Sequence, residues 1–134
     1  MDEGSQRTVV ADSGAVIGLS RNNQVLRARF RAARQIGMDI RVPVVVVAET
    51  VRGNGPRDAP VNLLLAQTEP RYPLLEEIAR KAGQLLGAAR SSATIDALIV
   101  AEALDCTPSM IWTSDPTDLR QLLGDNRGVS IEPI

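Results

Sequence analysis

Short apolar runs alternate along this chain with longer runs of helical spacing. Residues 8–11, Thr-Val-Val-Ala, form a β-type run that stops at Asp12-Ser13. Residues 14–19 continue as a short apolar helix, with Asp12 or Ser13 as its cap. Residues 23–35 predict a longer helix, because Val25, Leu26, Phe30, Ala33 and Ile36 fall near helical spacing and Gly37 stops the run. Residues 40–42 predict a second short strand. Residues 43–52 admit two readings: four consecutive valines favour a strand, whereas Pro43 favours the first turn of a helix. Residues 53–60, Gly-Asn-Gly-Pro-Arg-Asp-Ala-Pro, read as the clearest loop of the chain.

Beyond it, residues 61–66 predict a short helix. Residues 71–74 could hold an edge strand, since Pro73 bars a central one. Residues 75–89 repeat apolar positions at helical spacing. Residues 94–104 form a helix apolar on most faces, hence a buried one. Residues 110–113 predict a strand, 115–123 a helix and 129–131 a last strand. Such alternation predicts an α/β fold: a three-layer α/β/α sandwich around a mostly parallel sheet of about five strands. Residues 8–134 are expected to form one domain, preceded by a flexible polar tail at 1–7.

Composition narrows the class. The chain has 134 residues, of which 44% are apolar, enough for one real core. Phe30, Tyr72 and Trp112 are the only aromatics, so base stacking is not expected as the main binding device. No apolar stretch would span a bilayer, and the first seven residues lack the apolar centre of a secretory signal. Cys106 is the single cysteine, so no internal disulfide forms and a cytoplasmic setting is expected. Net charge is −1, yet 14 of the 15 basic residues are arginine, the better bidentate ligand for phosphate. Arg27, Arg31 and Arg34 share a helix face. They form either a solvated stripe or a track for phosphates.

The candidate chemistry is carboxylate chemistry, because the chain contains no histidine. Asp12, Glu49, Asp96 and Asp115 each lie where an apolar run meets a helix boundary. In an open parallel sheet, ligands bind beyond the carboxyl ends of the strands. Asp12 follows the first strand and Asp115 follows residues 110–113, so neighbouring strands would bring both to one edge. Asp115-Pro-Thr-Asp118 also has the form of a helix cap, with Asp, Pro and a further acid at the right offsets. Asp96 sits among apolar residues, where an ionised acid needs a partner, and a hard cation such as Mg2+ or Mn2+ suits a site of carboxylates alone. Glu49 pairs either with that cation or with a buried arginine. Glu102 lies on another face of the Asp96 helix and reads as a surface or salt-bridging residue.

Val9-Val-Ala-Asp12-Ser13-Gly-Ala-Val-Ile17, Ala48-Glu49, Thr94-Ile-Asp96-Ala-Leu-Ile-Val-Ala-Glu-Ala103 and Trp112-Thr113-Ser-Asp115-Pro-Thr-Asp118-Leu119 resemble, in order and spacing, the PIN domain, specifically the VapC-type toxin ribonuclease. The resemblance covers most of the chain. It implies a PIN-like α/β/α domain and hydrolysis of single-stranded RNA with Mg2+ or Mn2+. Asp12, Glu49, Asp96 and Asp115 match the family's catalytic, metal-holding acids, with Asp118 either a further ligand or beside the metal. Ser13 and Thr113 match its small polar residues next to metal and substrate. Arg27, Arg31 and Arg34 would bind flanking phosphates. The family further implies a homodimer and a VapB-type antitoxin partner. The rival readings are a non-catalytic PIN-like interaction module and a PIN ribonuclease of RNA processing rather than a toxin. A receiver-type phosphoacceptor would want a lysine after a late strand, whereas Lys81 lies mid-helix. No Gly-x-Gly-x-x-Gly follows a strand, which disfavours dinucleotide binding.

Overall fold

The computed structural model describes residues 7–134; apart from Arg7, the expected tail lies outside them. Among the described residues there are four strands, β1 (Thr8–Ala11), β2 (Asp39–Arg41), β3 (Ser109–Thr113) and β4 (Val129–Pro133). Seven helices accompany them: α1 (Ser13–Ser20), α2 (Gln24–Gln35), α3 (Val44–Thr50), α4 (Gly55–Gln67), α5 (Glu76–Ala89), α6 (Thr94–Asp105) and α7 (Pro116–Leu123). The strands make one sheet in the order β2-β1-β3-β4, parallel throughout. Parallel pairing follows from the helices between the strands, which return the chain to the same starting edge each time.

Every residue of β1 is buried, and β3 is buried except at Met110. Helices α1 and α6 both pack against β1 and β3. Central strands apolar at consecutive positions must be covered on both faces, and these two helices supply the covers. The core they enclose includes Val9, Val10, Val16, Leu19, Ile99, Val100 and Ile111, all at most 1% exposed. Helices α5 and α7 extend the layer of α6, and α4 packs on α1.

The structure decides one open reading and departs from local expectation in two further places. The valine run forms helix α3, not a strand: Pro43 is its N-cap, and Val46 is buried where α3 meets α1 and α6. Tertiary packing overrides the β preference of valine here. Residues 55–60, read as loop, are the first turns of α4. The first-turn N–H groups of a helix have no intrahelical partner, so Gly55 and Pro56 cost little there. The Asn54 side chain accepts from Arg57 N at 3.1 Å to cap the helix. The turn itself is confined to Gly53, whose φ of +80° favours glycine. Residues 71–74 form no strand. Instead the Tyr72 ring stacks on the Arg41 guanidinium of edge strand β2, 3.8 Å away. That contact and Pro73, which has no N–H, replace a fifth strand by a side-chain cover of the sheet edge.

Asp58 organises the α3–α4 junction. Its carboxylate is buried and accepts from the backbone N–H groups of Arg52, Gly53 and Asn54, at 2.8–3.1 Å, and from Arg57 Nη1 at 2.9 Å. Burial disfavours its charge, but those donors outweigh burial and hold its pKa below the usual value. Among the described residues no helix is long and apolar enough to cross a membrane.

A depressed folded pKa means that Asp58 contributes stability above its unfolded pKa of about 3.9 and loses it as the pH falls through the lower folded value. Asp58→Asn is therefore expected to lower the melting temperature at pH 7. The deficit should shrink as melts are repeated below about pH 3.9. A deficit independent of pH would show that packing, not the charge, holds the junction.

Candidate functional site

The pairing of β1 with β3 sets Ala11 beside Trp112, and the next N–H, that of Asp12, donates to Trp112 O at 3.1 Å. Asp12 and the segment after β3 thus leave the sheet side by side at its carboxyl edge. Asp12 is the N-cap of α1; its Oδ1 accepts from Ala15 N at 2.9 Å. Burial is the largest influence on this carboxyl and raises its pKa. The Thr113 hydroxyl and the N–H groups of Ala15 and Gly14 oppose that rise, and the nearby Asp115 charge adds to it.

Asp115 occupies the N-cap position of α7, yet its side chain makes no capping bond. Its backbone N–H is held by Thr113 Oγ1 at 2.9 Å. Capping therefore does not account for this carboxylate. One turn on, Asp118 lies on the same helix end. Helix α6 leads into β3, so it runs antiparallel to the sheet and begins at the carboxyl edge. Asp96 stands in its first turn. Carboxylate oxygens of Asp96, Asp115 and Asp118 all lie within 4.8 Å of one another.

Asp12 and Glu49 stand around this trio. The pKa of Asp96 is raised, first by burial, then by the charges of Asp115, Asp118, Glu49 and Asp12, in that order. All five acids proposed from the sequence thus act on one point, with three in ligand-sharing range and two further out. Glu49 reaches this region from the last turn of α3, which packs on α6. Glu102 does not join them. It is half-buried toward the far end of α6, where burial raises its pKa against the opposing charge of Arg41.

The donor set fits a hard divalent cation. All its donors are carboxylate oxygens, and oxygens around one octahedral Mg2+ lie about 3–4 Å apart, a spacing the trio reaches with small side-chain movement. None of the acids at this cluster takes part in an ion pair among the described residues.

Ser13 is the first residue of α1, half-buried. Thr113 is fully buried and supports both Asp12 and Asp115 rather than facing solvent. The arginine stripe is partly committed to the fold. Arg27 Nη1 donates to Leu19 O at 3.0 Å and Arg34 Nη1 to Gln67 O at 3.4 Å, while Arg31 is exposed. One structural residue of the site escaped residue-type reasoning. A Cβ on Gly14 would collide with the Ser114 side chain, so glycine there lets the start of α1 close on the β3–α7 turn. Its signal was the small residue in Asp12-Ser-Gly14 at the end of a strand.

No protein-family model matches the chain, and no curated protein matches it in sequence. A solved structure does match in shape. One chain of the crystal structure of VapBC2 from Rickettsia felis bound to a DNA fragment from their promoter is similar with a TM-score of 0.75, over 95% of this chain and 98% of that one. The fold is that of a VapBC2 chain. Sequence identity is 10%, so the likeness is one of backbone architecture. The VapBC2-type fold agrees with the PIN-like fold that the resemblance implied.

The raised pKa of Asp96 sets the sign of a stability effect. Its ionised form is disfavoured in the folded state above the folded pKa, and the penalty disappears below the unfolded pKa of about 3.9. Asp96→Asn, melted in EDTA at pH 7, is expected to be as stable as wild type or more stable. That advantage should vanish in melts below about pH 3.9. A loss of stability at pH 7 would show that Asp96 anchors α6 instead.

Proposed function

We propose that the protein is a metal-dependent endoribonuclease that cleaves single-stranded RNA as the toxin of a VapBC-type toxin–antitoxin pair. The observation that carries this reading is the convergence of Asp96, Asp115 and Asp118, ringed by Asp12 and Glu49, at the carboxyl edge of a parallel sheet. Such a cluster is costly to maintain for stability alone. The VapBC2-type fold supports the toxin reading. Asp96, Asp115 and Asp118 would hold Mg2+ or Mn2+, with Asp12 and Glu49 completing the acidic field. Bound there, the cation supplies Lewis-acid activation of water and neutralises charge at the scissile phosphate.

The chain's own residues do the rest. Thr113 and the α1 N-terminus fix the Asp12 carboxylate, and Thr113 also fixes the Asp115 backbone. With no histidine in the chain, a proton leaving the attacking water has carboxylates as its protein acceptors. Arg27, Arg31 and Arg34 lie on α2, where they would meet phosphates of the strand away from the cut. The partners proposed are RNA, a VapB-type antitoxin and a second copy of the chain. Leu74 and Leu75 before α5, 41% and 48% exposed, are apolar surface that a homodimer would cover.

Cleavage of a labelled single-stranded RNA is expected with Mn2+ and is expected to stop in EDTA. Asp96→Asn and Asp115→Asn should each lower the rate at least about 100-fold, since losing a ligand exceeds the roughly 10–100-fold cost of losing an outer-shell partner. Mn2+ at about 100 times its dissociation constant should stabilise the fold by about 2.7 kcal/mol, or roughly 10 °C. Cleavage that persists in EDTA, or melting indifferent to Mn2+, would sink the metal-nuclease reading. Folded protein that binds RNA or a partner but never cuts would favour the interaction module.

Sedimentation at micromolar concentration should give a dimer, and Leu75→Glu should shift it toward monomer. A monomeric wild type would remove the homodimer from the proposal.

A further inference from the structure

A cavity of about 170 Å3 opens between α1, α3 and α4, lined among others by Ser20, Arg21, Glu49, Thr50 and Arg57. Glu49 belongs also to the ring of acids whose charge acts on Asp96. The cavity therefore adjoins the proposed cleavage site. It is smaller than the roughly 300–1,000 Å3 of a typical small-molecule pocket, and no aromatic side chain lines it. Size and lining suit a single anionic group better than a base or a metabolite.

The basic groups in it are prepared for an anion. Arg57 Nη1 donates to Asp58 Oδ1 at 2.9 Å and to Thr50 O at 3.3 Å. Asp58 is in turn fixed by three backbone N–H groups. The guanidinium is thus held in place through one nitrogen, while Nε and Nη2 make no hydrogen bond to the described residues. Arg21, the residue that ends α1, is exposed, and its side chain makes no hydrogen bond or ion pair to the described residues. These two arginines outnumber Glu49 among the charged groups of the lining. A second cavity, of about 340 Å3, shares Ser20 and Pro60 with the first and is lined by Asn22, Arg27 and Gln67. Arg27 is steadied there by Leu19 O. It also lacks aromatic side chains.

We propose that Arg21 and Arg57 form a phosphate subsite beside Glu49, and that a bound single strand runs from the acid cluster through this subsite to Arg27. The assignment rests on the RNA-cleaving reading and adds to it the direction in which the strand leaves the site. Without aromatic platforms the track grips backbone phosphates and is indifferent to base identity.

The test uses a labelled 12-nucleotide RNA in two arms. In EDTA and low salt, anisotropy gives the binding constant and its salt slope. In Mn2+, cleavage gives kcat and KM. Arg21→Gln and Arg57→Gln are each expected to flatten the salt slope by about 0.7, the value for one phosphate contact on a single strand. Each should raise KM about tenfold with little change in kcat. Arg80→Gln, which removes the same charge from the exposed Glu76 pair on α5, should change neither. Arg57→Lys should restore the slope. If Arg57→Gln melts early because Asp58 loses a partner, Arg21→Gln carries the test, since the Arg21 side chain makes no hydrogen bond to the described residues. Wild type that cleaves while both Gln variants match Arg80→Gln overturns the subsite and leaves the nuclease standing. Wild type that fails to cleave, with slopes still flattened in EDTA, removes the nuclease reading and leaves the subsite. No binding in EDTA overturns the subsite.

Discussion

The parallel pairing of β1 with β3 is the constraint on which the rest depends. Both strands are buried, so each needs a helix on either side, and α1 and α6 supply them. The same pairing ends both strands at one level, with Asp12 N–H bonded to Trp112 O. Asp12 and Asp115 then emerge together, and α6, running back along the sheet, delivers Asp96 to the same edge. Gly14 permits the closing contact with Ser114. The acid cluster is therefore a consequence of how the core packs.

Two buried or half-buried carboxylates show what separates an acid satisfied by its surroundings from one that is not. Asp58 is surrounded by donors: three backbone N–H groups and an arginine. Its charge is satisfied, and its pKa falls despite burial. Asp96 has the opposite surroundings. Burial and four neighbouring acids raise its pKa. A group left in that condition departs from the rule that buried charge is paired, and such departures gather at functional sites. Asp12 lies between the two, helped by Thr113 and the helix N–H groups and still raised by burial.

The α3–α4 junction connects these two kinds of acid. Asp58 holds the Arg52–Asn54 backbone and orients Arg57, while Glu49, just before the junction, adds its charge to that acting on Asp96. Structure satisfied on one side of the turn positions charge left unsatisfied on the other. A stable scaffold with uncompensated charges at its edge is the arrangement expected where a cation and a polyanion are to be bound.

Much of this was legible along the chain. β1, β3, α2, α5 and α6 follow from hydrophobic period alone, because a buried strand and an amphipathic helix write their periods directly into the residues. The chemistry was restricted as well: a chain without histidine and with one cysteine has carboxylates as its means of holding a hard cation. What local pattern could not decide is whatever depends on distant partners. The valine run became helix α3, with Val46 buried where that helix meets α1 and α6. The Gly-Pro segment became the start of α4 because Asn54 caps it and Asp58 holds the turn before it. Tyr72 covered the sheet edge through Arg41 instead of adding a strand. At Asp115 the residues have the form of a cap, and only the folded geometry shows the carboxylate unused for capping and turned to its fellow acids. Asp58 looked like a loop residue until three backbone N–H groups met around it. Period and composition act over a few residues, whereas strand order, and with it the meeting of acids that have 36, 46 and 18 residues between them along the chain, is decided by which surfaces bury one another.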